Sequence, residues 1–388
     1  MKFSILLFLL QLSTICAGQK SWTAQVVDAH TNEPLPYAQV YVSKDKGTVA
    51  NIDGVFTISA RENEELTISY VGYEQKRIKV TELTEVLRLK PLETILQEVT
   101  VKPRPIEEIL IEAARYMRQS YKKHKDVKSK YFMRATRTPL DKKKKREILE
   151  AFIIGESAVN IRNMQFLIGR TNKYQEGFGN VYAIQQSGVV AYDVPFLKKQ
   201  STIVPLPANA SRKFYEENYV IGYRVLAGNS GTPIYHVILG NKKGKDWIVT
   251  GNLYLDYETL RPLAIHGRLE GAIISNIKNN KLYYDYCDVG LNVDFTYENG
   301  FPEVRTSFIK LRNQEYINYW VLQRLESVKS LIMPTMGKSV SNMIHLSQCI
   351  REIGFDTDFW ERNEIIKRTA EEEAIIKQEE QKRRVGGN

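Results

Sequence analysis

A strict alternation of apolar and polar residues constrains the fold of this chain more than any other feature. Every second residue between positions 289 and 297 is apolar, and the residues between them are small or polar. The apolar members are Val289, Leu291, Val293, Phe295 and Tyr297. This period of two is typical of a β-strand with one buried face, and Asn299-Gly300 directly afterwards favours a hairpin turn. Similar stretches from about residue 130 to residue 330 predict a series of long antiparallel strands.

A helical segment precedes these strands. Apolar residues recur there at three- and four-residue spacing, which predicts an amphipathic helix. Its apolar stripe consists of Ile106, Ile109, Leu110, Ala113, Ala114 and Met117. We expect the stripe to dock on the apolar face of the sheet, because such a face has to be covered by another element.

The apolar face of the sheet is the candidate ligand-binding surface. Two predicted strands contribute the side chains that we expect to form an apolar ligand cradle: Leu253, Leu255, Leu291, Val293 and Phe295. If the helix covers the whole face, the domain is simply packed. If it covers only part, we expect the remaining concave surface to hold an acyl chain or an apolar peptide segment. Lys242, Lys243 and Lys245 lie in one loop and are then available for an anionic headgroup.

The first eighteen residues have the features of a secretory signal. Lys2 gives a positive start, an apolar run extends to about Ile15, and three small residues at 16–18 offer a cleavage site. The run is shorter than the roughly 20 apolar residues that a membrane-spanning helix needs. Bulky Ile15 disfavours lipid attachment at Cys16. We therefore expect residues 1–18 to be a signal peptide and the mature chain to be exported.

The chain is basic, with a formal net charge of +10 and an isoelectric point near 9.2. Such a charge can indicate nucleic-acid binding. An exported protein, however, meets phosphorylated lipids and polysaccharide more readily than DNA, so we expect no nucleic-acid partner. The densest basic run, from Lys142 to Arg146, is predicted to be the solvated tip of a hairpin.

Cleavage of the signal leaves two cysteines, Cys287 and Cys349. An exported protein lies in a compartment that permits disulfides, so these two residues are a candidate disulfide. Two buried thiols are an equally good interpretation, because the sequence does not show whether the two Cα atoms come within bridging distance.

Residues 19–91 are predicted to form a small β-sandwich. Short strands rich in β-branched residues alternate with turn signals, and no helical segment of useful length interrupts them. Asp53-Gly54 is the strongest turn signal, since glycine can adopt a positive φ there. Asn51 and Asp53 could be mistaken for calcium ligands, but we expect them to serve the turn.

Many residues in this stretch match a known pattern in order. They are Asp28, Thr31, Glu33, Pro34, Leu35, Pro36, Ala38, Val40, Gly47, Thr48, Asn51, Asp53, Gly54, Phe56, Ser69, Tyr70, Val71, Gly72 and Tyr73. The pattern resembles the carboxypeptidase-regulatory-like domain, a prealbumin-like β-sandwich often found at the N-terminus of TonB-dependent outer-membrane receptors. The resemblance implies a companion module rather than a peptidase. It also implies a location in the periplasm or at the periplasmic face of the outer membrane, with an outer-membrane protein or transporter as partner.

The remaining chain is predicted to comprise a linker, a large domain and a tail. We place the linker at 92–105, the helix and antiparallel sheet at 106–355, and a helical tail at 356–388. The order of elements and the pattern Gly-x-x-Tyr-x-Asp, which begins at Gly251, are similar to the domain that follows the regulatory module in certain envelope proteins. Those domains in turn resemble the curved, half-open sheets of lipoprotein-carrier proteins. The predicted fold class is therefore mainly β, a β-sandwich followed by a curved antiparallel sheet with packed helices.

Catalytic chemistry is not recognisable in the sequence. The five histidines form no metal-binding spacing, and neither a nucleophile elbow nor a glycine-rich phosphate loop is present. We therefore expect no catalytic residue, metal or cofactor. The interpretation is a non-enzymatic envelope protein that binds or scaffolds, with an apolar or lipid-like ligand in the cradle. Two alternatives remain, an accessory component of a TonB-dependent uptake system and a hydrolase whose site is assembled from scattered residues.

Overall fold

The computed structural model of the chain describes residues 19–43, 46–95, 104–123, 127–156, 162–172, 203–207, 209–229, 231–278, 281–328, 338–339, 359–360 and 363–385. The predicted signal peptide lies outside these residues. The chain divides into two compact units. The first runs as far as Pro91 and also includes Glu364–Thr369, and the second begins at Leu92 and resumes at Ala370.

The first unit is a β-sandwich, as the sequence predicts. Its described strands are β1 (Lys20–Asp28), β2 (Gln39–Ser43), β3 (Lys46–Val49), β4 (Val55–Ala60), β5 (Glu65–Ser69), β6 (Lys76–Lys79) and β7 (Val86–Leu89). One sheet has the order β4-β1-β7 and the other β3-β2-β5-β6. Apolar side chains of both sheets, such as Phe56 and Ile68, share one buried core.

The turn at Asp53-Gly54 confirms the interpretation of Asn51. The Asn51 side-chain oxygen accepts hydrogen bonds from the main-chain N–H groups of Asp53 and Val55, at 3.0 and 2.9 Å. Gly54 has a φ of +74° and lies against the carbonyl oxygen of Val26, where a Cβ would come within 2.5 Å. Only glycine fits this turn without strain.

The second unit is built on one large sheet. Its strands are β8 (Lys128–Pro139), β9 (Glu147–Glu156), β10 (Arg162–Thr171), β11 (Tyr219–Leu226), β12 (Ile234–Asn241), β13 (Ile248–Asp256), β14 (Pro262–Lys278), β15 (Lys281–Thr296), β16 (Glu303–Arg312), β17 (Tyr316–Val328) and β18 (Lys338–Ser339). The helices are α1 (Ile106–Lys123), α2 (Arg212–Asn218) and α3 (Ala370–Val385). The predicted helix is therefore α1. The basic run from Lys142 to Arg146 lies in the connection between β8 and β9, as predicted.

The strand order in this sheet is β11-β12-β13-β14-β15-β16-β17-β8-β9-β10-β18. Every neighbouring pair is antiparallel, and the sheet is curved, which confirms the predicted fold class. We call the side that packs against α1 the inner face and the opposite side the outer face. Successive side chains of a strand point to opposite faces. In the described residues, no helix is long and apolar enough to cross a membrane.

Candidate functional site

The five residues of the predicted cradle lie together on the inner face. Leu253 and Leu255 belong to β13, and the other three belong to β15, on the far side of β14. Their exposed fractions are 0% for Leu253, 0% for Leu255, 2% for Leu291, 0% for Val293 and 6% for Phe295. All five share one apolar cluster with α1. The structure therefore brings the predicted residues together and covers them.

Helix α1 covers part of this face with the stripe that the sequence predicts. All six stripe residues are buried in the inner-face cluster. An ion pair between Arg104 and Glu112, two side chains that are more than 40% exposed, joins the start of the helix to its own second turn and not to the sheet. An ion pair exposed to that degree contributes little. The apolar stripe therefore supplies most of the attachment of α1 to the sheet.

A second cover lies beside α1 and was not expected from the sequence. The main chain of Ile203 pairs with β13, donating to the Trp247 carbonyl at 2.7 Å and accepting from Val249 at 2.9 Å. The next residues place Val204 and Leu206 in the inner-face cluster. An apolar stretch this short shows no periodicity, so the sequence does not distinguish a segment that packs on the sheet from an exposed loop.

Helix α2 continues this second cover. The Tyr215 hydroxyl donates to the Pro205 carbonyl at 2.9 Å, and the Tyr219 hydroxyl donates to the Ile203 carbonyl at 3.2 Å. Burial raises the pKa of Tyr215 and of Tyr219 above the ordinary range, so both phenols stay protonated and keep donating. Tyr215 therefore attaches the strip at 203–207 to α2, and Tyr219 attaches it to the start of β11.

Two of the three loop lysines that the sequence offers for an anionic headgroup contact α2. The Lys242 ammonium donates to the Glu216 carbonyl, and the Lys245 ammonium donates to the Asn218 side-chain oxygen at 2.8 Å. A positive charge at the C-terminal end of a helix is favourable. The side chain of Lys243 lies outside the described side chains. A role for these lysines at a headgroup stays a prediction, and binding would have to compete with these contacts.

Three tyrosines line the inner side of the sheet near its β11 edge. The rings of Tyr235 and Tyr257 stack with their centroids 4.6 Å apart, and Tyr223 lies 6.3 Å from Tyr235. Burial and the neighbouring Tyr257 hydroxyl raise the pKa of Tyr235 to about 12. Amphipathic rings in this position are suited to the boundary between an apolar face and water.

The outer face carries a polar row across β11–β15. Arg224 donates to Nδ1 of His236 at 2.9 Å, which leaves the proton on Nε2 to be donated to Asn252 at 2.7 Å. Burial lowers the pKa of His236 below its ordinary value, more than the hydrogen bond to Asn252 raises it. His266 pairs with Asp294 at 2.9 Å, so this histidine also has a hydrogen-bond partner.

This row offers no recognisable catalytic centre. Within the described part of the chain, no group of three or more His, Cys, Asp or Glu side chains could hold a metal ion. The neutral His236 is occupied on both nitrogens, so neither nitrogen is placed to take a proton from a substrate. The geometry of the row is that of a structural hydrogen-bond network.

The candidate disulfide stays a prediction. Cys287 is a buried residue of β15 and belongs to the inner-face cluster. Cys349 lies outside the described residues. Mass analysis of the oxidised and the reduced chain would decide between a bridge and two thiols, because a bridge lowers the mass by two hydrogens.

Comparison with known families identifies the first unit. Residues 23–101 match the model of the CarboxypepD_reg-like domain. This match confirms the resemblance predicted for the N-terminal β-sandwich. No curated protein matches the chain.

Comparison with solved structures concerns the larger part of the chain. A domain of an outer-membrane lipoprotein-sorting protein from Vibrio parahaemolyticus is 11% identical, and the match covers 59% of this chain and 95% of that one, with a TM-score of 0.25. A LolA superfamily protein from Nitrosomonas europaea is 8% identical, with coverages of 57% and 98% and a TM-score of 0.22. A structure of the MucA/MucB complex from Pseudomonas aeruginosa is 10% identical, with coverages of 64% and 96% and a TM-score of 0.19.

Two of these names agree with the predicted similarity to lipoprotein carriers. The TM-scores are too low to carry the function of any of these proteins over to this chain. The function of the second unit therefore has to be argued from its own residues.

Proposed function

We propose that this protein is a non-enzymatic binding protein of the bacterial outer envelope and that its sheet domain holds an apolar or lipid-like ligand on the inner face. The proposal rests on the composition of the inner-face cluster. Of its 35 buried residues in the described chain, six belong to α1 and three to the stretch before β11, and strands supply the others. A broad apolar sheet face is thus closed by small, separate elements.

The way in which α1 is held supports a cover that a ligand can displace. Its stripe contributes apolar burial, and the ion pair at its start lies within the helical segment and does not attach it to the sheet. An acyl chain gains about 0.8 kcal/mol for each CH₂ group that it buries. About twelve such groups would gain about 10 kcal/mol, which is comparable with the apolar burial that the six α1 side chains would give up.

The match of the first unit supports the envelope location. The resemblance of residues 23–101 implies a module that accompanies outer-membrane receptors. A predicted secretory signal at residues 1–18 agrees with that location. An exported binding protein with a basic surface would also meet the anionic headgroups of envelope lipids.

Titration with a fluorescent fatty-acid probe tests the proposal. We expect saturable binding at about one probe per chain, reversed by added phospholipid. Leu291→Asp places a charge on the inner face and should abolish binding. Ile238→Asp makes a comparable change on the outer face, where Ile238 is 46% exposed, and should leave binding intact.

Probe binding by the native chain tests the proposal even if Leu291→Asp fails to fold. Absence of saturable probe binding by the folded native chain would overturn the proposal. Hydrogen exchange gives a second measurement, because a ligand that displaces α1 should accelerate exchange of the amides in Ile106–Lys123. Co-purification of a stoichiometric transporter without lipid would favour the alternative role in an uptake system.

A further inference from the structure

The outer face of β8–β10 carries a buried cluster of charges. Glu150 is fully buried and lies between Arg134 and Arg170, whose side chains are 4% and 3% exposed. One carboxylate oxygen accepts from Nε of Arg134 at 2.7 Å, and the other accepts from Nε of Arg170 at 2.8 Å. A single carboxylate therefore fixes the orientation of both guanidinium groups.

This cluster contains two arginines and one glutamate, and α3 brings two further carboxylates to the arginines. Nη1 of Arg134 lies 3.2 Å from Glu372, and Nη1 of Arg170 lies 2.9 Å from Glu380. Both glutamates belong to α3. Buried charges are costly unless they are paired, so the sheet presents two prepared positions for carboxylates at this place.

Helix α3 has little apolar surface of its own. Among its described side chains, Ile376 alone belongs to the buried core. Glu372, Ile376 and Glu380 are spaced by four residues each, so they lie on one side of the helix. A helix that is polar on most of its surface is marginally stable alone. The two arginines therefore supply much of what keeps α3 on the sheet.

Aromatic side chains lie beside the arginine cluster on the outer face. The Arg170 guanidinium lies 4.4 Å from the centroid of the Trp360 ring. Phe152 packs against Trp360 and Phe359, with ring centroids 5.6 and 5.1 Å apart. Stacking on an aromatic ring limits the orientations open to an arginine, which favours recognition of a fixed carboxylate position.

We propose that Arg134, Glu150 and Arg170 form a docking site for an acidic helix, that α3 occupies this site reversibly, and that a helix of a partner protein binds in exchange. The partner helix carries the pattern of α3, two carboxylates eight residues apart with an apolar residue midway. The site lies on the outer face, so the proposal does not depend on ligand binding at the inner face. High salt weakens the attachment of α3, because the glutamates retain partial exposure to solvent.

Hydrogen exchange on the full chain tests whether charge holds α3. In Glu372→Gln/Glu380→Gln, the amides of α3 should exchange about tenfold faster than in the native chain, because both charge-assisted contacts are lost. Glu216→Gln/Glu217→Gln removes the same charge from α2, where both carboxylates are exposed, and should leave exchange in α3 unchanged. Equal protection of α3 in the first variant and the native chain would overturn the proposal.

Peptide binding tests exchange of the helix. A fluorescent peptide with the sequence of residues 368–385 should bind Glu372→Gln/Glu380→Gln at least about tenfold more tightly than the native chain, because the native tethered α3 competes at high effective concentration. A peptide with glutamine in place of both glutamates should bind neither protein. Failure of the acidic peptide to bind the variant, or equal binding of the two peptides, would refute the docking site.

Discussion

Leu110→Ala tests whether α1 is an integral part of the sheet domain. Leu110 is fully buried in the inner-face cluster. Most members of this cluster belong to strands that are fixed by hydrogen-bonded ladders, so they are poorly placed to close the space that a shortened side chain leaves. Leucine-to-alanine changes at such sites cost roughly 3 to 5 kcal/mol, and the cost rises with the cavity that remains. We expect a loss of about 3 kcal/mol in the free energy of unfolding of the second unit.

Helix propensity does not offset this loss to any large extent. Alanine and leucine are both strong helix formers, and the gain from alanine is a few tenths of a kcal/mol. A matched control is Leu140→Ala in the connection between β8 and β9. Leu140 is 41% exposed, so the same substitution should change stability by less than about 0.5 kcal/mol.

Urea unfolding followed by tryptophan fluorescence measures both changes. A Trp22→Phe background removes the signal of the first unit, and Trp247, Trp320 and Trp360 then report on the second. The transition midpoint should shift for Leu110→Ala at unchanged slope, as expected for a pure change in stability. A loss below about 1 kcal/mol, indistinguishable from that of Leu140→Ala, would refute the packing of α1 against the sheet.

Three further predictions follow from the buried polar groups and the division into units. Glu150→Gln should destabilise the second unit by about 3 to 5 kcal/mol in the same assay, because two buried guanidinium groups lose their shared carboxylate. Hydrogen bonds from the main-chain N–H of Thr31 and from the Tyr73 hydroxyl lower the pKa of Asp28. These hydrogen bonds therefore stabilise the folded first unit above about pH 4, and this stabilisation is lost as the pH falls through the lowered pKa. In thermal melts at decreasing pH, the melting temperature of Tyr73→Phe should fall less than that of the native chain. A fragment of residues 19–91 should melt cooperatively by circular dichroism, yet at a lower temperature than in the full chain, since it lacks the C-terminal segment of the first unit; a non-cooperative melt would contradict its independence.

Local patterns in the sequence predict the elements of this chain well. The alternation at 289–297 becomes the inner-face side of β15, and the stripe that begins at Ile106 becomes the buried side of α1. Both predictions succeed because burial imposes a period on neighbouring residues. The turn at Asn51 succeeds for a similar reason, since its hydrogen bonds span four residues or fewer.

Contacts between distant residues were not predictable in the same way. The sequence predicts a helical tail at 356–388 without a partner for its side chains, whereas the structure pairs Glu380 with Arg170, 210 positions earlier. His266 likewise pairs with Asp294 of the neighbouring strand, 28 positions later. Such partners depend on strand order and register, which the period of a single strand does not determine. The cover at 203–207 was missed because five residues show no period.

The second unit therefore has two faces with different chemistry. The inner face is apolar and closed by α1, α2 and the strip at 203–207, whereas the outer face carries the polar row across β11–β15 and, beside aromatic rings, the arginine pair under α3. Binding of an apolar ligand on one face and of an acidic helix on the other would use separate surfaces of one sheet. Variants of one face should leave binding at the other unchanged, since their side chains point in opposite directions.

Native mass spectrometry of the protein purified from its own membranes tests the proposed ligand most directly. The account predicts a species that carries one lipid molecule per chain, retained in Ile238→Asp and lost in a folded Leu291→Asp variant. A single species at the mass of the bare chain, from protein whose α1 amides are protected against exchange, would contradict it. In that case the inner face would be a closed core, and the domain would serve as a scaffold alone.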